Sequence, residues 1–232
     1  MPGPTTTLPR PTVVLDLPIT AIGDSVMLGT ASELKAWLGR QARIDARVSR
    51  QFEDGLKILG RLKTRGRLGE IVIVHLGDNG PPSVKQLDRL RAITAGVPAV
   101  ILVNLSIPLS FEAKANATMA RWVSTHTGTA LVDWHGIVRA HPDALYEDRL
   151  HVRPLGAALY GQAMAVAILS RCDLGRPPST TPETLRVLTT CEKSRPPVTT
   201  VPPGAAGPGE TASSTTGPAA TTPAAMSKPS PP

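Results

Sequence analysis

Aromatic residues are scarce in this chain. Phe, Trp and Tyr make up 3% of its 232 residues, although 41% are hydrophobic. A core must therefore be built mostly from Leu, Val, Ile and Ala. Cysteine is nearly absent. Cys172 and Cys191 are the two present, with no C-x-x-C and no histidine-rich spacing, so no metal site is expected. They can pair in an oxidising compartment or stay as free thiols. The opening MPGPTTTLPRP lacks the basic start and apolar run of a signal peptide. A long hydrophobic run is also missing. The stretch Pro154 to Ser170 carries no charge, but it holds Gln162, Tyr160 and several small residues. It is barely long enough to span a bilayer, so a buried final helix is expected and no transmembrane segment. No strict internal repeat points to a solenoid. Negative charge is in short supply, with 18 acidic against 25 basic residues and a net charge of +7. The basic residues cluster between Lys35 and Arg67. Such a face can attract nucleic acid, anionic lipid or cell-wall polymer, or simply be solvated. No nucleic-acid-binding motif of the usual kinds accompanies it, so no nucleic-acid partner is expected. Binding of that kind would show as steeply salt-dependent affinity.

What is present divides the chain in three. Residues 1–18 are Pro/Thr-rich and read as a flexible lead-in, apart from a short apolar run from Val13 to Leu17. Residues 19–173 read as one globular domain. Residues 174–232 are a Pro/Thr/Ala-rich tail that holds more than half of the 24 prolines. Its composition cannot bury enough apolar surface to offset ordering, so disorder is expected.

Within the domain, strands and helices alternate. Strands are expected at Ile19–Gly23, Arg43–Val48, Glu70–Leu76, Ala99–Leu105 and Ala130–Asp133. Helices are expected at Ser25–Leu38, Gln51–Leu62, Ser83–Thr94, Phe111–Thr127 and Pro154–Arg171, with a short one at Trp134–Ala140. EIVIVHL and AVILVNL are apolar on both faces, the mark of central parallel strands covered on two sides. The fold class is α/β, a three-layer sandwich around a five-stranded parallel sheet. Right-handed crossovers then bring every strand-to-helix loop to one edge.

That edge gathers chemistry. The first loop holds Gly23, Asp24 and Ser25. The second holds Ser49, Arg50 and Gln51. The third holds Gly77, Asp78, Asn79 and Gly80. The loop before the last helix holds Asp148 and His151. Serine attacks only when a base takes its proton. His151 is the candidate base, and Asp148 can hold its other ring nitrogen. Asn79 and the N–H of Ser25 can donate to an oxyanion. Each also has a plain structural reading: Ser25 as a helix cap, Asn79 as a turn residue, His151 as a surface histidine.

GDSVMLG, GDNG and DRLH resemble, in order and roughly in spacing, three signature blocks of the SGNH (GDSL-like) hydrolase and acyltransferase superfamily. The likeness spans Ile19 to Ser170. DARVSRQFEDGL, LVNLSIPLSFE, LVDWH and HPDALYEDRLHVRPLGAALY extend it toward SGNH domains that accompany membrane acyltransferase-3 proteins, the peptidoglycan O-acetyltransferase type. The resemblance implies a flavodoxin-like strand order 2-1-3-4-5. It implies Ser25 as nucleophile, His151 as base, Asp148 as its partner and Asn79 in the oxyanion hole. It implies no cofactor, an acyl donor, a glycan or other hydroxyl acceptor, and an acyltransferase-3 protein as partner. It also implies an extracytoplasmic or envelope setting, while the missing signal pattern leaves the cytoplasm open. Three departures stand out. Ser49 occupies the second block where the family offers a glycine N–H. Asp78 puts a carboxylate beside the oxyanion hole, which hinders catalysis unless it points away. Pro108 to Glu112 reads PLSFE where the family has P-R-x-W-E. The expectation is serine-dependent acyl transfer, of acetyl in the family's pattern, or ester hydrolysis. The alternative is a non-catalytic binding module on the same fold.

Overall fold

The computed structural model describes Leu15 and residues 17–170. The rest of the lead-in, both cysteines and the tail lie outside the described residues. Five strands, β1 (Ile19–Gly23), β2 (Arg43–Ala46), β3 (Ile71–His75), β4 (Ala99–Val103) and β5 (Thr129–Val132), form one parallel sheet in the order 2-1-3-4-5. Six α-helices alternate with them: α1 (Ser25–Leu38), α2 (Phe52–Thr64), α3 (Val84–Ile93), α4 (Glu112–Ser124), α5 (Trp134–Ala140) and α6 (Pro154–Leu169). A short 3-10 turn, Pro142–Ala144, precedes α6. The strand order and class are those expected from the sequence.

The sheet is covered on both faces because its strands alternate between two cores. Ile19, Ala21, Ile71, Ile73, Ile101 and Val103 pack with α1 and α6. Ile22, Val72, Val74, Val100 and Leu102 point the other way, onto α2, α3 and α4. Successive strand residues face opposite sides, so a strand buried on both must be apolar throughout. Leu15 and Leu17, from the short apolar run in the lead-in, join the first core.

α6 is the expected buried helix. Gly156, Ala157, Tyr160, Gly161, Met164, Ala165 and Ile168 recur at helical spacing and are buried. Pro154 stands in its first turn, where a missing N–H costs nothing. Gly161 is small because α1 passes close by: a Cβ there would meet the Trp37 ring at 2.4 Å. Among the described residues no helix is long and apolar enough to cross a membrane.

Overfilling this contact has a definite expected result. Gly161→Val should destabilise the domain by about 1–3 kcal/mol through forced separation of α1 and α6. Urea unfolding followed by tryptophan fluorescence measures it, and an unchanged midpoint would contradict the packing.

Candidate active site

The turn from β1 into α1 sets the site. Gly23 ends the strand, and the Asp24 N–H donates to the carbonyl of His75 at 3.3 Å. Asp24 is the N-cap of α1: its Oδ1 accepts the Val26 N–H at 3.2 Å. Aspartate at this position satisfies an orphan donor of the first turn. Ser25 is therefore the first helical residue and not the cap, and its hydroxyl is free for another partner. That partner is His151, whose Nε2 lies 3.2 Å from Ser25 Oγ.

Asp148 completes the line. Its Oδ2 is 2.7 Å from His151 Nδ1. Its Oδ1 accepts the backbone N–H groups of Leu150 and His151, both at 3.0 Å. These bonds, the histidine's first, hold the Asp148 carboxyl down at about 2. An ionised Asp148 can only accept from Nδ1, which in the neutral ring leaves Nε2 as the acceptor toward Ser25. The carrying loop is pinned at its base by the antiparallel bridge Leu145–Val152 and by the Arg153 N–H donating to the Ala144 carbonyl at 2.8 Å.

The second and third loops border Ser25. Asn79 is exposed, and its amide donates to the Arg50 carbonyl at 3.5 Å. Gly77 and Gly80 bracket it at φ of 138° and 151°, a region open to glycine and costly for other residues. Ser49 is exposed with φ of 58°, one of two non-glycine residues at positive φ among those described. Its backbone thus holds the left-handed form that glycine adopts freely, as a replaced glycine would require. Sequence reasoning gave Arg50 no role. Arg50 is buried, donates to the Gly23 carbonyl at 3.1 Å and pairs with Asp45 Oδ1 at 2.5 Å. It ties the second loop to the end of β1. The signal was weak, since one arginine in a basic region does not announce burial.

Asp78 points away from the open edge, the condition under which its carboxylate does not oppose an oxyanion. It lies buried under the loop, next to Asp24. Burial pushes the Asp24 carboxyl up to about 6 and Asp78 well above the ordinary range, the charge of Asp24 adding to the latter. His75 lies beneath them, its Nδ1 3.0 Å from Tyr160 Oη, and burial lowers it to about 3. In the PLSFE stretch, Glu112 accepts the Ile107 N–H at 2.5 Å, and its other carboxylate oxygen lies 3.0 Å from His135 Nδ1. Trp134 packs edge-on against Tyr160 and is fully buried. Among the described residues no group of His, Cys, Asp and Glu is placed to hold a metal. An apolar cleft of about 820 Å³ between β5, α5 and α6 contains none of the Ser25, Asp148 or His151 side chains.

With this geometry established, comparison with known proteins narrows the family. No family model matches the chain. YrhL of Bacillus subtilis (strain 168), a candidate peptidoglycan O-acetyltransferase, is 33% identical over 150 residues, covering 63% of this chain and 23% of that protein. O-acetyltransferase OatA of Staphylococcus aureus (strain NCTC 8325 / PS 47) is 29% identical over 137 residues, covering 59% and 22%. The C-terminal catalytic domain of Streptococcus pneumoniae peptidoglycan O-acetyltransferase A superposes with a TM-score of 0.59 at 24% identity, covering 73% of this chain and 99% of that domain. The relatives carry O-acetyltransferase names, and the fold is the one this catalytic domain has. A G-D-S-L family protein of Veillonella parvula shares that fold at a TM-score of 0.54 and 12% identity, covering 66% of this chain and 98% of that one. The chain spans about a quarter of the length of the curated relatives it matches.

Two measurements follow from these loops. Ser49→Gly should be neutral or stabilising by up to about 1 kcal/mol, and Ser49→Val destabilising, because only the former relieves a positive φ. Equal unfolding midpoints for the two variants would contradict the backbone assignment. His75 is neutral in the folded protein, with a value near 3 against 6.5 unfolded. The unfolded chain binds its proton first, so this contribution is present above about 6.5 and is lost as pH falls toward 3. Urea titrations at pH 7 and pH 4.5 should show a smaller acid loss in His75→Gln than in the wild type. An identical acid loss would contradict it.

Proposed function

We propose that the chain is an SGNH-type serine acyltransferase or esterase, with Ser25 as nucleophile, His151 as general base and Asp148 as its orienting partner. The observation that carries this reading is the unbroken line from Ser25 Oγ to His151 Nε2 at 3.2 Å and from His151 Nδ1 to Asp148 Oδ2 at 2.7 Å. Ser25 Oγ attacks the carbonyl carbon of an acyl donor while its proton passes to His151 Nε2. Asp148 stabilises the imidazolium that results. The oxyanion meets the Ser25 N–H, which in the first helical turn has no intrahelical acceptor, and the Asn79 amide. Ser49 N–H is the further candidate donor, from a loop held in a glycine-like conformation. The tetrahedral centre collapses, His151 returns its proton to the leaving alcohol, and an acyl ester remains on Ser25. A second hydroxyl then gives its proton to His151 and attacks the acyl carbon; as the acyl group passes to it, Ser25 Oγ leaves and takes the proton back from His151. Water as acceptor gives hydrolysis and a sugar hydroxyl gives transfer.

Acetyl is the acyl group and a cell-envelope glycan the acceptor that best fit the resemblance to O-acetyltransferases. An extracytoplasmic setting and a membrane acyltransferase-3 protein as acyl source belong to the same reading. A non-catalytic module on this fold is favoured by an Asp78 carboxylate facing the oxyanion and by a Ser49 that cannot replace the family's glycine. Burial of Asp78 and the left-handed backbone at Ser49 remove the reasons for preferring it.

Hydrolysis of an activated aryl acetate is the direct test. Ser25→Ala should reduce it to background. Asp148→Asn should lower kcat by roughly a thousand- to ten-thousandfold through loss of the correct imidazole orientation. Asn79→Ala should lower it by roughly a hundred- to a thousandfold. Equal rates for wild type and Ser25→Ala would overturn the proposal. Adding a peptidoglycan oligosaccharide separates the two outcomes: acetylated sugar marks a transferase, free acetate alone an esterase.

A further inference from the structure

Directly beneath the Ser25 loop lies a buried acidic pair that the acyl-transfer cycle leaves unused. Asp24 is 0% exposed and Asp78 is 7% exposed. They come from different loops, β1–α1 and β3–α3, and their carboxyl groups meet within hydrogen-bonding reach. Donors around them are too few for two carboxylates. The Asp24 carboxyl faces the backbone N–H groups of Val26, of Asp24 itself and of Asp78, and Oδ1 takes the Val26 N–H; Asp78 has no backbone donor. Asp24 Oδ2 and both oxygens of Asp78 are buried with no donor in place.

The surroundings supply no compensating cation. From β3, His75 Nε2 stands 3.8 Å from Asp78 Oδ2, and the ring is held neutral by burial. From α6, Tyr160 is engaged with His75 Nδ1 at 3.0 Å. From α4, Glu112 adds negative charge near Asp78. From the β2–α2 loop, Arg50 is turned to the Gly23 carbonyl and to Asp45. Two carboxyl groups in contact away from water do not both ionise. One proton placed between them satisfies oxygens that otherwise have no partner.

We propose that Asp24 and Asp78 share one proton and that this O–H···O bridge is the positioning device that holds the Ser25 loop against the loop bearing Asn79. The proposal rests on the acyl-transfer reading above. Each member of the bridge is the chain neighbour of a site residue: Ser25 follows Asp24, and Asn79 follows Asp78. The span between nucleophile and oxyanion donor is thus set through one hydrogen bond. Loss of the proton puts two like charges in contact and adds negative charge beneath the place where the oxyanion forms. Burial holds both carboxyls above their ordinary range, in keeping with this bridge.

The test uses the full chain as wild type, Asp78→Asn and Asp78→Leu, with folding checked by near-UV circular dichroism. Infrared difference spectroscopy at neutral pH should show a protonated carboxylic acid band in the wild type that is missing from Asp78→Asn. Ser25 is counted by titration with phenylmethylsulfonyl fluoride, and aryl acetate turnover is expressed per reactive serine. Asp78→Asn keeps a hydrogen bond to Asp24 and should lose no more than about tenfold in kcat. Asp78→Leu keeps the volume but not the bond, and should lose about a hundredfold in kcat at little change in KM, since a misplaced site costs on that order. The wild-type rate should also decline at alkaline pH as the shared proton leaves, and the decline should vanish in Asp78→Asn. Absence of the acid band from the wild type overturns the proposal, as does a leucine variant that matches the asparagine variant in kcat. If the leucine variant does not fold, the acid band and the alkaline decline decide. If the wild type shows no Ser25-dependent turnover, the acyl-transfer reading fails, and the acid band and the rate of sulfonylation still decide the bridge.

Discussion

The hydrogen bond from the Val26 N–H to Asp24 Oδ1 is the contact on which the site depends. A helix that begins directly at the end of a buried parallel strand needs a cap, because its first N–H groups have no partners. Serine is a good cap, and a serine spent on capping would not be available as a nucleophile. Asp24 takes that task, so Ser25 sits one residue further on with its hydroxyl turned to His151. The same aspartate, buried and tied to the backbone of β3 through the His75 carbonyl, fixes the turn against the neighbouring strand.

The fold brings the other parts to that turn by topology alone. Parallel strands with right-handed crossovers put each strand-to-helix loop at the same edge, and ligands of such sheets bind there. The central strands can supply this rigidity because both of their faces are packed: Ile71 and Ile73 on one side, Val72 and Val74 on the other. The loop carrying Asp148 and His151 has no strand beneath it. It is held instead by the Leu145–Val152 bridge and by α6, whose Gly156 would place a Cβ 2.2 Å from the Ala144 carbonyl oxygen. Close packing of that last helix therefore reaches directly into the placement of the imidazole.

Much of this could be read from the sequence, for physical reasons. Continuous apolar runs rich in Ile and Val mark β3 and β4, and α1 and α5 have the expected limits, because apolar spacing and capping residues coincide there. β2 stops at Ala46 and not Val48, since its partner β1 ends at Gly23, the Arg47 N–H makes the last bond to that residue's carbonyl, and Ser49 then turns left-handed. Leu15 and Leu17 are buried inside a stretch whose Pro and Thr content suggested a lead-in. The acidic pair and Arg50 were not readable as buried. Composition shows that a loop contains Asp78, but whether the carboxyl points to solvent or into the protein depends on the neighbouring loop, which sequence spacing does not reveal. Ser25, Asp148 and His151 could be singled out because they are chemically restrictive types, one at a strand-to-helix turn and two at fixed spacing in the loop before the last helix.

The account's central claim is that Ser25 becomes acylated. Brief exposure of the full chain to an aryl acetate, acid quenching and peptide mass spectrometry measures this directly. The account predicts one acetyl group on the peptide containing Ser25, removed on addition of an acceptor and missing from Ser25→Ala. Turnover of the ester with acetyl never found on Ser25, or found equally on other residues, would contradict it.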